Sequence, residues 1–209
     1  MKNVILYLIP LSLAFASPAF AQVEEEDKLE GSRDTVIHID EHRFIYEGKI
    51  YRENSPYLTM GYGVGMNFGQ DSIEQNMTLS YHHFIRGVGI GIGYHSSSNE
   101  KIWWRSPQKL NDLHLMVGKR WEGIHHNLSI FAGPSYAYGS YIGWNDVLEE
   151  FRQYRFYTMG LVAELQYSYR IFYDLGLGIS AYTSLNKFTR VAGAQLHLFF
   201  STAFVRSYD

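Results

Sequence analysis

"GVGIGIGYHSSSN", residues 87–99, places glycine at positions 87, 89, 91 and 93, with Val88, Ile90, Ile92 and Tyr94 between them. A side-chain period of two is the mark of a strand, because successive residues point to opposite faces. Glycine is a poor strand former: it has no side chain to pack and loses the most backbone entropy on ordering. The stretch therefore describes a strand with one apolar face and one face kept bare, running into a polar segment that opens with His95.

From Pro56 onward the same period recurs in eight blocks separated by turn chemistry. Leu58, Met60, Tyr62, Val64, Met66 and Phe68 share a face in the first, opposite Thr59, Gly61, Gly63, Gly65 and Asn67. Met77, Leu79 and Tyr81 lead the second, the glycine stretch is the third, and Leu113, Leu115 and Val117 lead the fourth. The fifth alternates around Leu128, Ile130 and Tyr136, the sixth around Tyr157, Leu161 and Leu165, the seventh around Leu175, Leu177 and Ile179, and the eighth around Leu196, Leu198 and Phe200. Blocks of roughly ten residues suit a strand crossing a bilayer at a tilt of about 45°.

The links between blocks also alternate. "FIRG", "WEGIHHN" and "RIFYD" are tight, "SSNEKIWWRSPQKLN" and "GWNDVLEEFRQYR" are long and polar, and "FGQDSIE" and "LNKFT" are intermediate. With the N-terminus on the periplasmic side, the tight links become periplasmic turns and the others outer loops, the habit of outer-membrane barrels. Phe68, Tyr94, Tyr136, Tyr138 and Tyr157 then gather at the loop ends of the apolar faces, and Trp121, Tyr167, Tyr169, Tyr173 and Phe200 at the turn ends, as two interfacial aromatic belts. An eight-stranded barrel is only just wide enough for side chains to fill its interior. The bare glycine face points inward and leaves room for larger polar neighbours.

Composition agrees with a β-rich membrane chain. There are 17 Tyr, 13 Phe, 4 Trp and 19 Gly against 5 Pro. No apolar run near 18 residues follows the N-terminal one. With no cysteine, disulfides and a cysteine-linked lipid anchor are excluded. A net charge of -3 and the lack of a basic stripe argue against nucleic acid. Residues 1–21 read as a secretory signal peptide, with Lys2, an apolar run and an A-x-A site at Ala19 to Ala21. Residues 22–34 read as a disordered acidic leader, 35–54 as a periplasmic N-terminal segment able to form a hairpin, and 55–205 as the barrel. The fold class is thus all-β: a closed antiparallel eight-stranded transmembrane β-barrel with short periplasmic turns and longer outer loops.

Signal peptide, eight amphipathic blocks and glycine-alternating strands together resemble the small outer-membrane β-barrel protein family of Gram-negative bacteria, over about residues 56–204. The resemblance implies insertion in outer-membrane lipid by the outer-membrane assembly machinery, with no cofactor. It spans structural and adhesion-linked barrels as well as lipid-modifying enzymes. Many members end on an aromatic residue, whereas this chain ends "FVRSYD", with Phe204 or Tyr208 as nearest substitutes.

Function stays open among three readings. The favoured one is an envelope-structural or surface-interaction role with an unidentified surface or periplasmic partner. Asp112, His114, Arg120, Glu164, Gln166, Gln195 and His197 fall on the lumen face. They are expected to form a plugging network anchored by Arg120 and Glu164, because isolated buried charges are costly. A loop surface of Trp103, Trp104 and Trp144 would meet sugar or lipid headgroups. The second reading is a lipid A deacylase-like enzyme using His95, a nearby Ser such as Ser97, and Asp112, since a serine nucleophile needs a histidine and an orienting carboxylate. The third, a soluble lipocalin-like ligand binder, requires the large aliphatic residues to point inward. His38, Asp40 and His42 alternate on one face and are candidates for a metal.

Overall fold

The computed structural model describes residues 36–40, 42–99, 108–146 and 148–207. The proposed signal peptide and leader, and Trp103 and Trp104, lie outside the described residues. Among the described residues twelve strands follow one another: β1 (Ile37–Asp40), β2 (Arg43–Tyr46), β3 (Lys49–Arg52), β4 (Tyr57–Asn67), β5 (Ser72–Ile85), β6 (Val88–Ser98), β7 (Lys109–Glu122), β8 (His126–Asn145), β9 (Glu150–Phe172), β10 (Leu175–Asn186), β11 (Arg190–Ser201) and β12 (Phe204–Ser207). Strands β4 to β11 form a closed antiparallel barrel in the order β10-β11-β4-β5-β6-β7-β8-β9. The ring closes through β11 and β4, in register from Val191 opposite Asn67 to Ser201 opposite Tyr57.

The outer face is apolar, and the inner face mixes polar with aromatic side chains. Val64, Ile92 and Leu196 are 59%, 61% and 72% exposed, whereas His95, Asp112 and Gln166 are fully buried. Soluble monomers rarely expose apolar patches beyond a few hundred Å², and here the belt encircles the molecule, so hydrocarbon is its solvent. A closed ring pairs its backbone groups with neighbouring strands, which a sheet needs in lipid. This arrangement overturns the lipocalin-like alternative, because the aliphatic side faces out and the glycines face in. The ladder between β7 and β8 skips the pairs around Pro134, whose ring nitrogen carries no hydrogen to donate.

Two features depart from the sequence reading. The "GWNDVLEEFRQYR" segment is no open loop. β8 and β9 pair without a break from His126 opposite Tyr169 to Asn145 opposite Glu150, although β7 leaves β8 at Ser140 and β10 leaves β9 at Gly160. A two-stranded hairpin therefore projects past its neighbours. Ring contacts extend the period of two into it, Tyr141 with Tyr154 at 5.6 Å and Trp144 with Phe151 at 5.0 Å.

The second departure lies at the opposite, turn end. The chain leaves the barrel at Ser201, and Phe204–Ser207 joins the N-terminal strands in a four-stranded sheet of order β1-β2-β3-β12. Its β2–β3 turn runs through Glu47 and Gly48 at φ 48° and 71°, the two-residue left-handed turn that matches strand twist. Phe44, Tyr46, Tyr51, Tyr173 and Ala203 form its core, with Val36 and Ile124 packed against them. Tyr173, expected in the lipid belt, is only 3% exposed. Its ring lies 4.7 Å from Tyr51 and 5.0 Å from Phe44, because the β9–β10 turn folds under the small sheet. Burial, and then the charge of Asp174, push the Tyr51 hydroxyl up to about 12.

Candidate functional site

Side chains from all eight strands occupy the barrel interior, and they sort by height. At the turn end Glu122 is the centre. Its Oε1 accepts hydrogen bonds from Arg120 Nη2 at 2.8 Å, Arg170 Nη2 at 2.6 Å and the Tyr173 hydroxyl at 2.6 Å, and Oε2 accepts from the Asn54 amide at 3.0 Å. Arg120 also donates to Asn127 Oδ1 at 2.5 Å and to the Ser55 carbonyl at 3.0 Å. Its guanidinium lies 4.9 to 5.5 Å from the ring centroids of Tyr57, Phe84 and Phe199. Both arginine side chains are wholly buried. A charge so enclosed persists only when paired and hydrogen-bonded, and these are.

Above this cluster an aromatic layer crosses the bore. His82 stacks on Tyr57 at 4.6 Å and lies 4.3 Å from Phe131. Gln166 Oε1 accepts from the Tyr57 hydroxyl at 3.0 Å. Higher still, Gln195 Oε1 accepts from Thr78 Oγ1 at 2.6 Å; Ser168 and His197, each one inward step toward the turn end from Gln166 and Gln195, bond through His197 Nε2 at 2.8 Å. His95 stacks on Tyr182 at 3.7 Å. Near the loop end Glu74 accepts from Asn67 Nδ2 at 2.8 Å and from the Ser97 hydroxyl. The guanidinium groups are thus gathered at one end of the lumen, and Glu74 lies near the other.

The sequence-derived candidates map onto this unevenly. Asp112, His114, Arg120, Glu164, Gln166, Gln195 and His197 are all buried inside the barrel. Arg120 and Glu164 are not joined: the partner of Arg120 is Glu122, two residues along the same strand and on the same face. Glu122, Arg170 and Glu74 were missed, although continuing the period of two by one step from Arg120, Ser168 and Asn76 leads to each.

The hydrolase constellation does not assemble. His95 and Asp112 are cross-strand partners, yet among the described residues no hydrogen bond joins the Asp112 carboxylate to the His95 ring. The ring of His95 turns instead to Thr78 Oγ1 at 3.4 Å. Ser97 bonds Glu74 rather than His95, and all five of these side chains are closed off from solvent.

The metal candidates also separate. A bulge between His38 and Asp40 breaks the shared face. His38 Nδ1 sits 3.9 Å from Glu53, while Asp40 accepts from Arg43 Nε at 2.6 Å and the His42 amide at 2.9 Å. Those two contacts hold the Asp40 carboxyl below its ordinary value. Among the described residues no group of three or more His, Asp or Glu is placed to hold a metal ion. Trp144 is 51% exposed near the tip of the projecting hairpin, beside Leu148 and the 72% exposed Phe151.

A closed ring of eight antiparallel strands, apolar outside and filled with polar and aromatic side chains inside, defines a small transmembrane β-barrel. Two solved structures share the architecture. Neisserial surface protein A superposes with a TM-score of 0.51 at 10% identity, over 70% of this chain and 95% of that one. Ail, the attachment invasion locus protein of Yersinia pestis, does so with a TM-score of 0.50 at 11% identity, over 71% of this chain and 98% of that one. At such identities the likeness is one of fold. No protein-family model matches the chain, and no curated protein matches it in sequence.

Proposed function

We propose that this chain is an outer-membrane barrel of a Gram-negative envelope, closed to ions, whose work is done by what it displays beyond the membrane. The observation that carries the reading is the projecting β8–β9 hairpin, with Trp144, Leu148 and Phe151 exposed near its tip. Tyr136 and Tyr157, at the loop end of the lipid belt, mark where hydrocarbon ends; Ser140, Gln153 and Arg155 follow, and the apolar tip lies beyond them. A two-stranded platform with large apolar side chains outside the bilayer suits contact with another envelope or surface molecule. The crowded lumen supports a structural rather than a transporting role, since an eight-stranded ring leaves little free bore.

The chain contains no cysteine, which makes single-cysteine labelling a clean test of orientation. A membrane-impermeant maleimide should label Glu150→Cys on intact cells and Lys49→Cys only after the outer membrane is permeabilised. The reverse pattern would refute the assignment of the hairpin to the outside. Porin-like conductance of the purified protein in planar bilayers would refute the closed lumen.

A further inference from the structure

An open crevice of about 720 Å³ lies between the small sheet and the β5–β6 turn, and three arginines, Arg43, Arg52 and Arg86, reach into its walls beside Asp40 and Glu53. One of the two carboxylates is already engaged. Asp40 is held by Arg43, with Nη2 at 2.5 Å and Nε at 2.6 Å, and Glu53 faces His38 at 3.9 Å. Arg52 is the cross-strand partner of Arg43, a placement in which like charges destabilise a sheet unless something answers them. Asp40 answers Arg43. Among the described residues no carboxylate lies within ion-pair distance of Arg52 or Arg86.

Arg86 has a further distinction. It occupies the left-handed first position of the two-residue β5–β6 turn, at φ 50°, followed by Gly87 at φ 80°. Ile85 and Val88 on either side of the turn are 53% and 54% exposed on the lipid face. Arg86 is thereby fixed where hydrocarbon gives way to headgroups, and an arginine in that zone reaches outward with its charge. Two guanidinium forks bordering one cavity match the oxygens of a phosphate, which arginine binds with paired, charge-assisted hydrogen bonds.

We propose that this crevice binds a phosphate group through Arg52 and Arg86, with the Arg43–Asp40 pair as a fixed wall. The phosphate can come from a phospholipid headgroup of the adjacent leaflet or be free in solution, and one experiment separates the two. The full chain is refolded in dodecyl maltoside, which carries no phosphate, and titrated calorimetrically with inorganic phosphate and with dioctanoyl phosphatidylglycerol. Dioctanoylglycerol serves as the phosphate-free control.

Binding of the phospholipid but not of inorganic phosphate supports the site and assigns it to lipid. Binding of both supports the site with the free ion as a sufficient ligand, and binding of inorganic phosphate alone supports the site and excludes the lipid source. In each case Arg52→Ala and Arg86→Ala should each weaken binding about tenfold, a loss on the scale of one charge-assisted contact. The double variant should abolish it, and Arg155→Ala on the projecting hairpin should leave it unchanged. Both substituted side chains are exposed, and heat-modifiable gel migration checks that each variant is folded. Failure of both phosphate probes, equal binding of dioctanoylglycerol, or undiminished binding by the folded double variant overturns the proposal. Orientation plays no part in this assay, so the site and the proposed function can fail separately.

Discussion

The inward glycines allow a graded test of why the lumen needs them. A Cβ built on Gly63 would stand 2.0 Å from the Ala194 carbonyl oxygen and 2.6 Å from the Gln195 Cα, both backbone atoms of β11. Ordinary contact begins near 3.4 Å, so Gly63→Ala must drive two paired strands apart by more than an ångström at the seam where the barrel closes. At Gly93 the nearest atoms are His114 Nε2 at 2.3 Å and Ser80 Oγ at 2.5 Å, both ends of side chains that can turn aside. Gly48, at φ 71°, has nothing within 4 Å, and Gly48→Ala meets only the left-handed backbone penalty. Overpacking typically costs about 1–3 kcal/mol and occasionally more, which places Gly63→Ala at about 3 kcal/mol and Gly93→Ala at about 1.5 kcal/mol. Gly48→Ala should cost about 1 kcal/mol, the left-handed penalty for one residue. Urea unfolding in lipid vesicles, followed by loss of the fast-migrating folded band, gives the ranking. If Gly93→Ala proved more destabilising than Gly63→Ala, backbone proximity would not be what demands glycine on the lumen face.

Two further substitutions probe the lumen. Glu122→Ala strands two buried guanidinium groups, and breaking a buried pair from one side costs about 3–5 kcal/mol. The urea midpoint should fall accordingly and channel recordings should show new ion leakage; an unchanged midpoint would mean that water already serves these arginines. Ser97→Ala removes one of two donors to Glu74, whose other donor, Asn67, remains at 2.8 Å. It should cost about 1–2 kcal/mol and leave the acylation of lipid A in cells carrying the protein untouched, which mass spectrometry of extracted lipid A measures. Loss of a deacylation activity would reinstate the hydrolase reading.

Strand number, the lipid-facing side and the glycine-lined lumen were legible because each depends only on the period of two within a short window. Pairing partners across a strand were legible in part. Arg120-x-Glu122 shares a face and an ion pair can be read from it, whereas the separation of Arg120 from Glu164 emerges only from the register. The projecting hairpin was hidden by its composition: Asp146, Glu149, Glu150 and Arg152 look like loop residues, and the alternation of Ile142, Trp144, Phe151 and Gln153 across a four-residue turn emerges only once the strands are paired. The bulge that separates His38 from Asp40 has no signature in composition at all.

The C-terminal strand of the small sheet escaped for a different reason, and that reason yields a last prediction. An even number of strands returns the chain to the end where it entered, so the segments flanking β4 and β11 leave the ring as neighbours. Thr202 donates to the Pro56 carbonyl at 3.1 Å, Arg52 to the Ala203 carbonyl at 2.9 Å, and the ladder continues from Tyr51 opposite Phe204 to Lys49 opposite Ser207. The sheet is therefore the closing seam prolonged past the membrane, a pairing between residues some 150 positions apart that no local pattern encodes. Truncation after Thr202 removes this ladder, and with it Ala203 from the core around Tyr51 and Tyr173. At about 1 kcal/mol for each backbone hydrogen bond lost, the sheet should forfeit about 3 kcal/mol while the barrel ring, whose own ladders are intact, keeps its heat-modifiable migration. Limited trypsin digestion should then cut at Lys49 and Arg52 far faster than in the full chain. Equal protection at both sites would mean that the N-terminal strands stand without β12, and that the seam ends at the membrane.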